Sequence, residues 1–202
     1  MMPALVNTLV MTLLSLLIAV PIGVCAAIYM VEYAKRGNKL VKLVRLTAET
    51  LQGIPSIVYG IFGYVFFNVA LHCGFSMLAG ALTLSIMILP LILRTTEEAL
   101  MAVSDSYREG SFGLGAGKLR TVFRIVLPSA MPGVLAGVIL AIGRIVGESA
   151  ALIYTSGSGT GNLSFIKNGA FSLTAPLFQS TRTLSVHMYA LMSEGLYTDQ
   201  AH

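Results

Sequence analysis

The chain is poor in charge, and the charge it has is unevenly distributed. Only 11% of its 202 residues are Asp, Glu, Lys or Arg, against roughly 25% in an ordinary soluble domain. Residues 1–31 contain none of these four types, and neither do residues 50–93. A helix needs about 20 apolar residues to cross a bilayer, so the second stretch has room for two. This pattern excludes an ordinary soluble domain and predicts an all-α, polytopic membrane protein in contact with the lipid bilayer.

Cysteine and clustered metal ligands are also scarce. The two cysteines, Cys25 in an apolar run and Cys73 in a short turn, give neither a disulfide framework nor a metal-ligand spacing. His72 beside Cys73 could form half of a metal site, but no further His, Cys or carboxylate lies close to them in the sequence. We therefore expect no metal site and no cofactor.

The apolar runs predict four spans, separated by short polar segments. These spans cover residues 5–29, 54–71, 76–93 and 130–154. After the first span, Leu40, Leu43 and Val44 recur at helical spacing among basic residues, which predicts an amphipathic helix lying on the membrane surface. We expect a transmembrane core over residues 1–155 and a polar tail over residues 156–202 on the outer side.

The positions of the basic residues predict the orientation in the membrane. Of the 13 Lys and Arg residues, five lie in the segment between the first and second spans and five more lie from Arg94 to Arg124. Basic loops face the cytoplasm, so both segments should be cytoplasmic, and the net charge of +4 reflects topology rather than binding to nucleic acid. The N-terminus is then outside, which requires something upstream to carry it across. We therefore expect these four spans to be part of a longer chain.

A basic, glycine-spaced segment, EGSFGLGAGKLRTVFRIVLP, occupies residues 109–128 between two apolar runs. It superficially resembles a phosphate loop, which requires G-x-x-x-x-G-K followed by Ser or Thr. Phe112 stands in place of the first glycine and Leu119 in place of the hydroxyl residue. The segment is therefore not an ATP site. Because the sequence has no Ser/His/Asp arrangement either, we expect a protein that is not itself an enzyme.

The same segment does match the cytoplasmic-loop signature of ABC importer permeases, E-A-A-x3-G-x9-I-x-L-P, over its full length. The matching positions are Glu109, Gly110, Ser111, Gly115, Ile125, Leu127 and Pro128. Two of them depart from the signature, since Gly110 and Ser111 stand where it has alanine. The resemblance implies a short coupling helix, a glycine turn and a second helix that together seat in a groove of an ATPase subunit.

Arg144 and Glu148 are ionisable groups inside the fourth predicted span, spaced i,i+4. Such groups cost about 3 kcal/mol each on insertion scales and often mark functional sites. They could form a structural salt bridge on one helix face. Alternatively, Arg144 could bind an oxyanion through its planar donors, with Glu148 holding the guanidinium and tempering its affinity. We favour a substrate pathway for the pair. Arg94, at the cytoplasmic border of the third span, is a weaker pathway candidate, with topological anchoring as its alternative.

Four stretches extend the resemblance along the whole chain. They are ETLQGIPSIVYGIFG (49–63), LPLILRTTEEAL (89–100), IGRIVGESAAL (142–152) and SVHMYALMSEG (185–195). With the signature loop, they resemble the membrane-spanning permease subunit of the bacterial phosphate-specific ABC transporter. This resemblance implies a type I importer bundle in the bacterial inner membrane. It also implies a second homologous permease, a dimer of ATP-binding subunits and a periplasmic phosphate-binding protein as partners. The family has six spans, so we expect this chain to lack the first and the last.

Three other functions remain open from the sequence. The permease could carry another oxyanion, such as molybdate, sulfate or phosphonate. It could also be an ATP-independent anion channel or secondary transporter, gated by Arg144 and Glu148. A purely structural membrane scaffold is the third.

Overall fold

The computed structural model describes residues 2–35, 37–72, 74–157, 159, 166–167, 170–171 and 175–194. Helices dominate these residues, as the composition predicted. The α-helices are α1 Met2–Ile28, α2 Lys39–Gln52, α3 Ser56–Gly63, α4 Met77–Met101, α5 Asp105–Gly113, α6 Lys118–Thr121, α7 Leu127–Gly147, α8 Ala150–Thr155 and α9 Leu184–Glu194.

Three π-helical segments extend these helices. Tyr29–Tyr33 continues α1, Tyr64–Ala70 continues α3, and Val122–Val126 joins α6 to α7. In the tail, Ala175–Phe178 is a 3-10 turn. Two strands of two residues each, β1 Ile166–Lys167 and β2 Ala170–Phe171, pair antiparallel with Ile166 opposite Phe171.

Three helical stretches of the described residues are long and apolar enough to cross a membrane: Met2–Tyr33, Met77–Met101 and Lys118–Gly147. A fourth would be the pair Lys39–Gln52 and Ser56–Ala70, which is bent by 103° at its break. The amphipathic segment after the first span does form a helix, α2, with Asn38 capping it by accepting from the Leu40 amide at 3.0 Å.

The fourth predicted span differs from the structure at its C-terminal end. A single helix was expected over residues 130–154, but α7 ends at Gly147 and α8 begins at Ala150. The amide of Glu148 donates to the carbonyl of Ile145 at 3.1 Å, which tightens the last turn, as commonly happens where a helix ends.

The described residues divide into two compact units. The first contains Met1–Ile18, Ile54–Met87 and Ile142–His202. Its helices α3 and α8 approach closely, because a Cβ added to Gly60 would lie 2.8 Å from the Cα of Ala151. A Cβ at Gly63 would lie 2.3 Å from the hydroxyl of Thr83. The absence of a side chain at these two glycines therefore permits the close packing of these helices.

The second unit contains Ala19–Gly53 and Ile88–Ala141. Its helices α4 and α7 also pack through glycine, because a Cβ at Gly133 would lie 2.6 Å from the Cβ of Ala99. The core of this unit joins α1, α4 and the start of α7 through small and branched side chains, which are Ala27, Ile28, Leu100, Val122, Val126 and Ala130. Val122 and Val126 of this core belong to the segment 109–128, which is thereby packed against α1 and α4.

Candidate functional site

The segment 109–128 folds as a helix, a glycine turn and a second helix. Helix α5 ends at Gly113 and α6 begins at Lys118. Between them Gly115 has φ +78°, in the left-handed region that costs residues with a Cβ about 1–2 kcal/mol. Its amide donates to the carbonyl of Phe112 at 2.9 Å, and the amide of Ala116 donates to the carbonyl of Ser111 at 3.1 Å. The glycine of the signature therefore stands where the backbone turn requires it.

The tip of this turn is apolar and faces outward. Leu114 is 91% exposed, more than any other large apolar side chain among the described residues, and Leu119 is 68% exposed. Glu109 and Gly110 are also exposed on α5. Leucine at such a position adds nothing to the core of its own chain, so the tip is suited to contact with another protein.

Ser111 departs from the signature, but it has a structural use. Its side chain is 4% exposed, and its hydroxyl lies 2.8 Å from the hydroxyl of Thr121. Thr121 in turn reaches the carbonyl of Gly117 at 3.3 Å. This hydrogen-bonded pair ties α5 to α6 across the turn, so a serine where the signature has alanine still fits the fold.

The last three signature positions lead into α7. Ile125 and Leu127 are half-buried, and Pro128 is exposed. Proline cannot donate to the carbonyl four residues before it, and its ring crowds that carbonyl. The wide π-helical turn Val122–Val126 ends two residues before Pro128, and such a turn is one of the ways in which a helix accommodates a break.

The residues that fix this segment to the rest of its unit could not be predicted from the sequence. Arg108, beside the signature, donates from Nε and Nη2 to Oε1 of Glu32 at 3.1 and 2.8 Å. Glu32 lies in the π-helical turn that ends α1. In the same turn, the ring of Tyr33 lies 5.1 Å from the ammonium of Lys118. A pairing between residues so far apart in the chain has no signal in local spacing.

Arg144 and Glu148 do not form the i,i+4 pair that the sequence suggested. Glu148 lies beyond the end of α7, so the two side chains do not share one helix face, and no ion pair joins them. Glu148 is 9% exposed, and its Oε1 accepts from the amide of Ala151 at 3.1 Å. Its carbonyl accepts from the hydroxyl of Ser185 at 2.7 Å. Its carboxylate therefore caps α8 instead of holding Arg144.

Arg144 is half-buried on the last turn of α7. It makes no ion pair and no hydrogen bond to another described residue. Tyr59 on α3, in the same unit, is 5% exposed, and it was not singled out from the sequence.

Arg94 belongs to the second unit, and its guanidinium is already engaged. Its Nε donates to Oε1 of Glu98 at 3.1 Å, and its Nη1 contacts the carboxylate of Glu49 on α2. One turn along both helices, Arg45 pairs with Glu97. These two ion pairs hold α2 alongside α4, which favours the anchoring interpretation of Arg94 over a substrate contact.

The chain was compared with models of known protein families. Residues 19–192 match the family described as "Binding-protein-dependent transport system inner membrane component". The chain belongs to this family. As an inner membrane component with several apolar helices, it is a multi-pass membrane protein.

Similar proteins include several permeases. A probable ABC transporter permease of Bacillus subtilis is 38% identical over 195 residues, which cover 96% of this chain and 66% of that protein. A phosphate transport system permease of Mycobacterium tuberculosis (strain H37Rv) is 39% identical over 154 residues, covering 76% of this chain and 49% of that one. A phosphate permease homologue of Mycoplasma genitalium is 37% identical, covering 95% and 30%. This inner membrane component thus spans less than two thirds of the length of these relatives.

A solved structure supports the fold of this family member. An inward-facing structure of a methionine ABC transporter superimposes with a TM-score of 0.62 at 22% identity. The match covers 98% of this chain and 88% of the chain in that structure. The predicted type I importer bundle is therefore confirmed as the fold.

Proposed function

We propose that this chain is the membrane-spanning permease core of an ATP-driven importer that moves inorganic phosphate across the inner membrane. The observation that carries the proposal is its identity of 37–39% to relatives named as phosphate transport system permeases. In this proposal the chain is a non-catalytic transport subunit. Its partners are a second homologous permease, a dimer of ATP-hydrolysing subunits and a periplasmic phosphate-binding protein.

The segment 109–128 is proposed as the contact with the ATPase, and we call it the coupling loop. Leu114 inserts into an apolar groove of that subunit, because it is the most exposed large apolar side chain described. The signature residues have supporting roles: some shape the loop and others connect it to α7. These residues are Glu109, Gly110, Ser111, Gly115, Ile125, Leu127 and Pro128. ATP binding by the partner would move the loop and rock the helices between inward-open and outward-open states.

The phosphate pathway is proposed to pass Arg144. A guanidinium offers planar, paired donors that match two oxygens of a phosphate. Because no described carboxylate forms an ion pair with Arg144, its charge is available to an anion. Glu148 contributes by fixing the start of α8. Arg94 stays the weaker candidate, because two carboxylates already hold its guanidinium.

Uptake by the intact transporter tests the substrate. The complete permease, reconstituted in vesicles with its ATPase and binding protein, should accumulate labelled phosphate when ATP is supplied. Unlabelled sulfate, molybdate and phosphonate should compete weakly. Stronger competition by one of those anions would assign the permease to that anion, and uptake without any ATPase would point to a channel or secondary transporter.

Co-purification tests the coupling loop. Leu114→Asp should reduce recovery of the ATPase with the permease about tenfold or more, since an apolar anchor at the centre of an interface is worth about 2 kcal/mol or more. Leu114→Met is the matched control and should retain the partner, because it keeps an apolar side chain of similar size. Equal recovery of the ATPase with both variants would show that Leu114 is not part of the interface.

A further inference from the structure

Arg108 and Glu32 form the most buried of the ion pairs seen among the described residues. Their side chains are 14% and 8% exposed, whereas at least one member of every other such pair is more than a third exposed. Breaking a buried pair by removing one partner is strongly destabilising, because the charge left behind is uncompensated. This pair is therefore more than a surface contact.

The remaining donors of Arg108 bind carbonyls at the end of α4 and just beyond it. Its Nη2 donates to the carbonyl of Leu100 at 2.9 Å, and its Nη1 donates to the carbonyl of Val103 at 2.7 Å. The last carbonyls of a helix have no partner within the helix and carry partial negative charge, so a cation binds there favourably. Asp105 accepts from the same Nη1 at 3.0 Å. Every nitrogen of the guanidinium is thus used.

Three elements meet at this one side chain. Arg108 itself lies on α5, the coupling helix, while Glu32 ends α1 and Leu100 lies in the last turn of α4. Lys118 of α6 makes a second connection to the end of α1 through the ring of Tyr33. Both connections to α1 use the same π-helical turn, Tyr29–Tyr33.

We infer that Arg108 is the positioning residue that joins the coupling loop to the cytoplasmic ends of α1 and α4, so that movement of the loop is passed to both helices. The inference rests on the proposed function, because it concerns how the ATPase drives the permease. It differs from a docking role, because Arg108 is largely buried and its guanidinium nitrogens all donate to groups of its own chain. Its loss should uncouple ATP hydrolysis from transport while the ATPase stays bound.

Arg108→Lys is the sharpest variant, because it keeps the charge but loses the planar fork that reaches three elements at once. In reconstituted vesicles with ATPase and binding protein, we expect phosphate uptake per ATP hydrolysed to fall about tenfold. Glu32→Gln preserves the size of the side chain and should lower the same ratio less, about threefold. Arg45→Lys alters an exposed arginine ion pair outside the loop and should leave the ratio unchanged.

A distance measurement separates positioning from simple loss of stability. With Cys25 and Cys73 replaced by serine, spin labels can be attached through cysteines introduced at Ser106 on α5 and Ile22 on α1. Both positions are exposed and lie in one unit. The distance between them should be narrowly distributed in the wild type, with and without ATP. In Arg108→Lys it should broaden, while ATPase recovery remains at the wild-type level.

The possible results are distinct. A narrow distance distribution in Arg108→Lys, or an unchanged ratio of uptake to hydrolysis, would overturn this inference and leave the proposed function standing. A proportional fall of uptake, hydrolysis and ATPase recovery would also overturn it, since Arg108 would then serve only assembly. A wild-type permease that neither binds an ATPase nor moves phosphate would defeat the proposed function, and this inference with it.

Discussion

Arg108 and Arg144 occupy opposite electrostatic situations. Every guanidinium nitrogen of Arg108 donates to a carboxylate or a backbone carbonyl. Arg144 is half-buried, yet its guanidinium has no ion pair or hydrogen bond to another described residue. An arginine whose donors are saturated holds elements of the fold together, whereas one whose donors are left open can bind a ligand. The contrast supports the proposed role of Arg108 in passing on movement and the proposed role of Arg144 in binding the substrate.

Among the variants that test this comparison, Arg144→Gln should have the largest effect. Removing the charge leaves a phosphate in the pathway without its counter-charge, which costs about 2 kcal/mol or more at a desolvated site. Uptake of labelled phosphate should therefore fall about thirtyfold or more, with recovery of the ATPase unchanged. Arg144→Lys keeps the charge and should retain part of the uptake. Wild-type uptake by Arg144→Gln would show that the open guanidinium has no part in transport.

Variants of Glu148 test a further part of this comparison, because the carboxylate of Glu148 caps α8 instead of pairing with Arg144. Glu148→Ala removes the acceptor for the Ala151 amide and should lower the free energy of unfolding by about 1 kcal/mol, measured by thermal unfolding in detergent. Glu148→Gln keeps an oxygen acceptor, so it should lower the free energy of unfolding by no more than about half as much as Glu148→Ala does. If Gln and Ala lowered uptake equally while stability differed, the negative charge itself would be needed for transport.

Substitution of Gly115 tests whether the coupling loop depends on the backbone conformation of its turn. Because φ is +78°, Gly115→Ala should strain the turn by about 1 kcal/mol and reduce ATPase recovery severalfold. Gly113→Ala is the matched control: this residue ends α5, and a Cβ there meets nothing within 4 Å. Similar losses in both variants would mean that glycine is needed for close approach to the partner and not for the turn.

Gly110 should give the smallest effect, and in the opposite direction. It lies inside α5, it is exposed, and a Cβ there meets nothing within 4 Å. Gly110→Ala restores the alanine of the signature and should stabilise the helix by up to about 1 kcal/mol, seen as a higher melting temperature. A lower ATPase recovery in this variant would indicate that the partner approaches the backbone at Gly110.

The features that depend on neighbours in the chain were predictable, and those that depend on distant residues were not. Segment 109–128 is local, so its resemblance to the permease signature was enough to predict the helix, the turn at Gly115 and the second helix. The ion pair of Arg108 with Glu32 depends on where α1 ends in space. Arg144 and Glu148 show the complementary failure: the i,i+4 argument assumes an unbroken helix, and α7 ends one residue before Glu148.

The exposed tip of the coupling loop also has a consequence for handling the protein. Leu114 follows closely after Phe112, and both side chains face outward, so the turn presents residues that chymotrypsin recognises at a loop tip, where nicking by proteases concentrates. A partner seated on the loop would shield these bonds. We therefore expect the isolated permease to be cleaved first at this turn, and resistance to that cleavage to report assembly without any transport assay.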